Sequence, residues 1–550
     1  MRRQGPWSYL KYAGQKITAG GTLYGLCLMR GTANPPAATP SDPWTGNAEI
    51  GGAILNNTYP FAGQQIRQAR NPWEAAGADD AWMKAMNGFD WIRDLRAVGS
   101  DSALTKVRDL TRDWLSRNDR LDAVNANPDS WTAAATSNRL LAWLYYWPAV
   151  FATADAELQQ QMLKSVGRQL RHLSVVSPFA TTPLDRVVGL KGQIVGYLLW
   201  LPHEGAREQS LVSLEREISQ QILPDGSPTS RNPLDLVKLL QELVEIRLAY
   251  LAAREEVPPV VQHTIDRCVP MTHFFRHGDG GLCHFNGSRD SGKAPLDHLL
   301  SLTGAKGKPP QEAPYSGYER LKAGTLLMLA DCGAPPPAPF DRLAHAGIGS
   351  FEVSIGTDRM IVNCGASNAG RGDWLEAERS TAAHSTLCVD DTNSSALNRK
   401  QGIGKRRAEP TCHRDDSEDA HWLSITHDGY AALFGLQHAR RLYVTEDGLN
   451  IRGEDRLTCS EGVEDGAGHD FAVRFHLHPK VSISLLQNQS SALLRLPSGQ
   501  GWRFRCFGAK IQLEDSIYLG GDTPRRAQQI VLRGTTETDG AVVKWAFNKE

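Results

Sequence analysis

Phe471-Ala472-Val473-Arg474-Phe475-His476-Leu477 is the stretch that decides the fold of the second half of the chain. Its large apolar residues recur at every second position, which is the repeat of a β-strand with one face in a core. The other face carries Arg474, His476 and His478, and such a face is either solvated or in contact with a ligand. Trp502-Arg503-Phe504-Arg505-Cys506 repeats the pattern, so we predict several strands of this kind.

Short turns between these segments indicate an antiparallel arrangement. Asp447-Gly448 separates two apolar runs, and this dipeptide readily adopts the backbone geometry that tight hairpins need. Repeated short strands joined by such turns are typical of a β-sandwich. Upstream, Ala334-Pro-Pro-Pro-Ala-Pro339 cannot continue a helix, because consecutive prolines lack backbone donors. We therefore predict that a sandwich domain occupies residues 334–550.

The first half of the chain has the periodicity of helices. Residues from about 75 to 255 contain successive amphipathic segments, each with one apolar stripe. One such stripe consists of Leu158, Met162, Val166, Leu170 and Leu173. We predict a helical domain of paired helices at 71–333, preceded by an N-terminal extension at 1–70.

Composition limits the classes of function. A chain of 550 residues is too long for a single core, and 41% hydrophobic with 22% charged residues is ordinary for a globular protein. A net charge of −1 gives no broad field for nucleic acid, so we expect no nucleic-acid partner. No apolar run reaches the roughly 18 residues that cross a bilayer, and we expect no transmembrane segment. Nine scattered cysteines without CxxC pairs fit reduced thiols.

Three segments of the second half form an ordered set. They are Leu343-Ala-His345-Ala-Gly-Ile-Gly-Ser-Phe, Ile361-Val-Asn363-Cys-Gly365 and Arg379-Ser-Thr-Ala-Ala-His384-Ser-Thr. In order and spacing they resemble the heparinase II/III group of polysaccharide lyases. The resemblance implies an incomplete (α/α) toroid followed by an antiparallel β-sandwich. It also implies a carbon–oxygen lyase that performs β-elimination on an acidic, uronate-containing polysaccharide or oligosaccharide, in a cleft between toroid and sandwich.

The same resemblance assigns roles in the helical half. The segment from Leu223 to Asn232 looks like the loop that presents the group's substrate-neutralising residue, a role that we carry to Asn232 with Arg231 beside it. Elimination needs such a donor, because the proton next to a charged carboxylate is poorly acidic. It also needs proton carriers of adjustable pKa. The candidates are Tyr315, Tyr318 and His384.

The catalytic set is degenerate when compared with the group. Leu343 stands where the group usually has its first histidine, and residues 280–295 contain no tyrosine where one is expected. Tyr315 and Tyr318 are therefore substitutes for it. A second interpretation stays open, in which the chain is a non-catalytic glycan-binding or assembly protein on the same scaffold. A hydrolase would need two facing carboxylates, for which Asp225 and Asp235 are available.

Zinc is the one cofactor that the resemblance suggests. Members of the group that hold structural zinc use His, Asp and His from three strands, and this chain offers His345, Asn363 and His384. An uncharged amide is a poor zinc ligand. We therefore expect the two histidines to be packed and hydrogen-bonded without metal, with zinc as the alternative.

Further candidates for substrate contact each have a structural alternative. Arg379 is permanently charged, so it either orders its strand or binds substrate. His427 belongs to His-Asp-Gly-Tyr, which is typical of a turn and is otherwise a substrate contact. Arg474 and His476, on the polar face of the first strand described, are the remaining candidates.

The expected location comes from the resemblance, which implies the periplasm or the cell envelope. The N-terminal stretch begins with Arg2 and Arg3, but glycines interrupt the next twenty or so residues and no clear cleavage site is present. We recognise no signal peptide, which leaves the cytoplasm as the alternative.

Overall fold

A computed structural model describes residues 22–29, 31–67, 71–367, 372–398, 402–460, 468–486, 491–521 and 523–550. The described chain forms two compact units. The first takes in the residues up to Ser219 together with Leu239–Ile265, and the second consists of Gln220–Lys238 and Asp266–Glu550.

The first unit is helical. Its helices begin where the sequence supplies caps: Asp155 accepts a hydrogen bond from Leu158 N at the start of one helix, and Thr182 caps the next, which opens with Pro183. The predicted stripe on the helix from Ala156 to Val176 is buried, and this confirms the helical periodicity.

The α-helices of the chain are numbered in order. They are α1 (Thr22–Leu28), α2 (Ala48–Leu55), α3 (Asp80–Gly88), α4 (Ile92–Val98), α5 (Asp101–Asn118), α6 (Ala123–Ala126), α7 (Ala133–Tyr146), α8 (Ala156–Val176), α9 (Pro183–Leu199), α10 (Glu204–Gln221), α11 (Pro233–Ala253), α12 (Pro259–Phe274), α13 (Lys293–Leu302), α14 (Gly372–Ala377) and α15 (Ala431–Phe434).

Strands are numbered in the same way. They are β1 (Tyr59–Phe61), β2 (Gln64–Ile66), β3 (Glu312–Ala313), β4 (Tyr318–Ala323), β5 (Leu326–Asp331), β6 (Phe351–Ile355), β7 (Asp358–Val362), β8 (Leu387–Val389), β9 (Leu397–Asn398), β10 (Gly402–Ile403), β11 (Pro410–Asp416), β12 (Ala420–Tyr430), β13 (Leu436–Thr445), β14 (Asn450–Cys459), β15 (Asp470–Leu477), β16 (Ser482–Leu485), β17 (Ser491–Arg495), β18 (Gly501–Phe507), β19 (Lys510–Tyr518), β20 (Arg525–Thr535) and β21 (Ala541–Lys549).

Two large antiparallel sheets make up most of the second unit. One has the order β19-β20-β15-β7-β6-β5-β4-β3, with β8 paired to β15, and the other has the order β11-β12-β13-β14-β21-β18-β17-β16. Apolar residues from both sheets share one core, in which Phe351 of the first sheet stacks on Trp545 of the second. The antiparallel sandwich predicted from the sequence is therefore confirmed.

Two local predictions can be compared with this sandwich. The Asp447-Gly448 turn joins β13 to β14, with Val444 paired to Ile451 and Gly448 at φ +68°. Strand β15 keeps its period of two, but it lies inside its sheet and is covered on both faces. Of the two alternatives for the face of Arg474 and His476, the solvated one is therefore wrong, because both side chains are buried.

The compact units divide the chain differently from the predicted boundary at 333/334. Strands β3–β5 precede the proline-rich segment, yet β5 pairs with β6 in the same sheet. Ladder hydrogen bonds join these strands to the sandwich, so residues 266–333 belong to the second unit. Among the described helices, we find none that is both long and apolar enough to cross a membrane.

Candidate functional site

Asn232 lies at the end of a hairpin-like loop of the second unit. Ile222 and Pro228 form an isolated bridge, and Arg231 adopts φ +57° just before Asn232. The Asn232 Oδ1 atom accepts a hydrogen bond from Leu234 N at 2.9 Å and so caps α11, which begins at Pro233. The cap fixes the side chain, because one end of the amide is held by the helix.

A second loop repeats the first. Arg276 and Leu282 form the equivalent bridge, and Asp279-Gly280 leads to Asn286 with the same spacing by which Asp225-Gly226 leads to Asn232. Asn286 adopts φ +51°, and its Oδ1 accepts a hydrogen bond from His345 N at 3.0 Å. The repeat therefore provides two asparagines, each at the end of a hairpin-like loop.

Tyr318 is held between these loops. Its hydroxyl donates to Arg231 O at 2.7 Å and accepts from Asn286 Nδ2 at 2.7 Å. The hydroxyl is buried, and burial raises its pKa well above the ordinary value, with Asp331 adding to the rise. The hydroxyl therefore stays protonated, with its hydrogen donated to Arg231 O. This geometry favours a positioning role for Tyr318.

Arg231 fastens the Asn232 loop to the sandwich. Its guanidinium pairs with Asp331, donates to Ser316 O at 2.6 Å and Gly333 O at 3.1 Å, and lies over the Tyr318 ring at 4.6 Å. Both members of the ion pair are buried. The predicted substrate contact of Arg231 stays a prediction, and its observed partners are protein groups.

Leu343 and Asn232 both lie next to Gly287. A Cβ atom built on Gly287 would lie 2.8 Å from Leu343 Cβ and 3.3 Å from Asn232 Nδ2. Gly287 has φ +88°, so glycine serves here both for its backbone and for the lack of a side chain. Leu343 is 38% exposed. Gly287 is therefore a common neighbour of the Asn232 amide and of Leu343, a partly exposed aliphatic residue that stands where a proton carrier was expected.

His345 and His384 lie together, as the motif comparison predicts. Their rings stack with centroids 4.6 Å apart. His345 Nε2 accepts a hydrogen bond from Gly287 N at 2.8 Å. Burial lowers the pKa of both, and His476 adds to the effect on His384, whose pKa falls to about 3. Both rings are therefore neutral near pH 7.

The donor set for zinc does not fit a zinc centre. Asn363 donates through Nδ2 to Glu352 Oε1 at 3.1 Å and accepts from Ser385 N through Oδ1 at 3.0 Å, so both ends of its amide are in use. Stacked rings direct their nitrogen lone pairs along nearly parallel planes rather than toward one point. Within the described ranges, no group of three His, Cys, Asp or Glu side chains is arranged to hold a metal. The zinc alternative at His345, Asn363 and His384 stays untested.

Glu352 is the buried charge beneath these loops. It accepts hydrogen bonds from His277 Nε2 at 2.8 Å, from His284 N at 3.1 Å and from Asn363 N at 3.0 Å. Burial raises its pKa, but His284, His277 and Arg359 outweigh burial and hold the pKa at about 2. Glu352 thus ties the second loop to strands β6 and β7 as a carboxylate.

The other predicted contacts are buried side chains with protein partners. Arg379 donates to Ala344 O at 2.8 Å. His427 donates through Nε2 to His438 at 3.0 Å and accepts from Gly429 N. His476 donates to Ala382 O at 3.0 Å. Arg474 lies 3.7 Å from Asp391 Oδ1. The structure does not bring His427 to the Asn232 loop by any described contact, and substrate binding by these four residues stays a prediction.

Tyr315 differs from the other candidates because its side chain is 63% exposed. Its backbone N–H donates to Asp225 Oδ2 at 3.3 Å, which ties it to the turn of the first loop. Of the proposed proton carriers, Tyr315 alone reaches solvent, since Tyr318 and His384 are both buried.

Three residues of the site were absent from the predictions. Asn286 contacts Tyr318, Asp331 and the backbone of His345, and Glu352 connects the second loop to Asn363. Asn286 could have been found by comparing the chain with itself, because the Asp-Gly turn and the following asparagine recur. Asp331 and Glu352 lie in apolar strands, and only non-local contacts reveal their partners.

Comparison with known proteins gives consistent results. The family model described as Heparinase II/III-like, C-terminal matches residues 305–546. The protein named FtsZ-localized protein C from Caulobacter vibrioides is 31% identical over 533 residues, which cover 93% of this chain and 90% of that protein.

Solved structures of low identity share the fold. The match with a crystal structure of heparinase III covers 98% of this chain and 91% of the heparinase III chain, with a TM-score of 0.73 and 12% identity. The match with the crystal structure of the heparan sulfate lyase HepC from Pedobacter heparinus covers 91% of this chain and 82% of the HepC chain, with a TM-score of 0.62 and 16% identity. These likenesses concern the helical toroid and β-sandwich architecture.

Proposed function

Because the chain belongs to the heparinase II/III-like family, we propose that it is a polysaccharide-lyase-like protein that binds an acidic, uronate-containing glycan at the Asn232 site. We further propose that binding predominates over elimination. The observation that carries this proposal is that Leu343, which cannot carry a proton, lies with the Asn232 amide next to Gly287.

Glycan recognition depends on the fixed amide. Asn232 Oδ1 is occupied by the helix cap, so the Nδ2 group remains to donate to a uronate carboxylate. A donor held in advance costs little reorganisation when the carboxylate arrives. Gly287 has no side chain that could block this amide, and a Cβ atom there would lie 3.3 Å from Asn232 Nδ2.

Elimination requires a base at the carbon that carries the acidic proton and an acid at the leaving oxygen. Leu343 can supply neither. The Tyr318 hydroxyl already donates to Arg231 O, and its raised pKa opposes ionisation. His384 is buried in its stack with His345. These features support slow or absent turnover. The lyase alternative rests on Tyr315, whose exposed side chain is the one free proton carrier among the candidates.

The test of recognition uses an isosteric change. Asn232→Asp keeps an oxygen that can cap α11, because aspartate is as good a cap as asparagine. It replaces the donor by a negative charge. We expect at least a tenfold weaker affinity for a uronate oligosaccharide by titration calorimetry. Because Asn232 is buried, thermal unfolding of the variant is measured beside it to show that the protein is folded at the titration temperature. Equal affinity of wild type and Asn232→Asp would contradict the proposal, as would equal affinity of wild type for the methyl-esterified oligosaccharide.

A cellular place is proposed from the named relative. FtsZ-localized protein C is 31% identical to this chain over nearly its full length. We infer that this chain is also localised with FtsZ. A fluorescent fusion should form a band with labelled FtsZ, whereas an even distribution in dividing cells would contradict the inference.

A further inference from the structure

The outward face of the second sheet carries an aromatic and cationic groove. Its volume is about 530 Å³, and it crosses five neighbouring strands, β12, β13, β14, β21 and β18. Strand register shows how it is built. Trp422 pairs with Tyr443, Tyr443 with Arg452, Arg452 with Ala546, and Ala546 with Arg505. Paired residues point to the same face, so these five side chains form one row.

An adjacent row runs parallel to the first. It contains Arg441, Glu454, Lys544 and Phe507, each paired with the next across β13, β14, β21 and β18. With neighbouring strands about 4.8 Å apart, each row is roughly 15 to 19 Å long. Ala546 is the small residue among these large ones, and it keeps the floor of the groove low.

The aromatic rings at the two ends of the groove are exposed to solvent. Trp422 is 43% and Phe507 is 77% exposed, and they lie at opposite ends of the groove. Tyr443 contacts Trp422 with ring centroids 4.6 Å apart, and Arg452 lies 5.3 Å from the Tyr443 ring centroid. Single exposed apolar residues are common, but aromatic rings grouped along a groove mark an interaction site.

The charged side chains that line the groove are mostly cations. Arg441, Arg452, Arg505 and Lys544 face a single carboxylate, Glu454. Lys544 lies 3.6 Å from that carboxylate. Arg441 and Arg505 form no ion pair with any residue that the structure describes. Guanidinium groups bind carboxylates through two parallel hydrogen bonds, so unpaired arginines in a groove suit an acidic ligand.

We propose that this groove binds a linear acidic glycan, independently of the Asn232 site. Rings at both ends would pack against the C–H faces of sugar rings, and the cations between them would pair with carboxylates along the polymer. An extended acidic peptide usually adds to the edge of a sheet through its backbone. Here the strands are interior, and their backbone groups already pair with their neighbours, so recognition must come from side chains.

The groove and the Asn232 site are separate. The groove lies on the outward face of the eight-stranded sheet, whereas the Asn232 site consists of loops that join the other sheet. The inference therefore does not require the proposed function, and each can fail alone.

The test is titration of the full-length protein with an oligogalacturonate long enough to span the groove. Trp422→Ala and Arg452→Ala should each weaken binding about tenfold, and Ala546→Glu should weaken it more by placing a carboxylate in the floor. Arg533→Ala is the matched control, because Arg533 is an exposed β20 arginine that pairs with Glu514 on the other sheet. It should bind as wild type does.

The outcomes distinguish the two sites. Loss in the groove variants that persists in an Asn232→Asp background supports the inference. Unchanged binding in all three groove variants overturns it, even if Asn232→Asp alone abolishes binding. Tighter binding of polyglutamate or of anionic phosphatidylserine vesicles than of the oligogalacturonate, lost in the same variants, would also overturn it by identifying a different ligand class.

Discussion

Tyr318→Phe separates a positioning tyrosine from a catalytic one. The change removes one hydroxyl that donates to Arg231 O and accepts from Asn286 Nδ2. Asn286 Nδ2 keeps Asp331 Oδ2 as an acceptor at 3.3 Å, but the carbonyl of Arg231 loses its hydroxyl donor in a buried place. An unsatisfied buried polar group costs about 1 to 3 kcal/mol. We expect about 2 kcal/mol less stability, or an unfolding temperature lower by about 3 °C for a unit of this size.

Affinity for the glycan should fall together with stability, because the carbonyl that loses its donor belongs to Arg231, the residue just before Asn232. The assay combines thermal unfolding with titration by a uronate oligosaccharide. Tyr430→Phe is the control, since the Tyr430 hydroxyl also donates to a buried carbonyl, Leu387 O at 2.9 Å, but has no described contact with the Asn232 loop. It should lose comparable stability and keep its affinity. Full stability and unchanged glycan affinity of Tyr318→Phe would refute the positioning role.

Three further predictions concern chemistry, buried charge and pH. Leu343→His places a proton carrier beside the Asn232 amide, and we expect unsaturated product to accumulate faster than with wild type, by a factor of up to about 10²; equal rates would show that another group limits the reaction. Asp455→Asn leaves Arg440 buried without its anion, which should cost about 3 to 5 kcal/mol in urea unfolding, and a cost under about 1 kcal/mol would contradict the buried pair. Burial lowers the pKa of His172 to about 4 and of His384 to about 3, so these histidines take up protons at higher pH in the unfolded chain than in the folded one. The free energy of unfolding should therefore fall as pH drops from about 6.5 toward 4, by about 3 kcal/mol for each histidine. An unfolding temperature that is constant over this range would contradict burial of the neutral rings.

Much of the architecture could be predicted from local sequence. The stripe on α8 reflects burial of one face, and the period of two in β15 identifies it as a strand; the order of residues records both patterns directly. The approach of His345 to His384 was also predictable, because their motifs have a recognisable order. The burial of Arg474 was not, because it depends on β15 having neighbours on both sides and cover on both faces.

The connections of the site were harder to predict for a similar reason. Tyr318 was identified as a proton carrier from its residue type alone, but its role depends on which groups surround the hydroxyl. Asn286 needed a positive φ at a loop end to reach the Tyr318 hydroxyl and His345 N. His427 belongs to a turn-like sequence, yet it lies inside β12 and pairs with His438 across the ladder. Non-local pairing determined each of these outcomes.

The most direct test of glycan recognition without efficient elimination is a single-turnover measurement. Excess wild-type protein is mixed with a uronate oligosaccharide at a concentration where calorimetry shows saturation, and absorbance of the unsaturated product is followed. We predict saturable binding and no rise in absorbance while the complex persists. A rise to one product per bound glycan, which disappears in Asn232→Asp, would contradict the proposal and establish the chain as an active lyase.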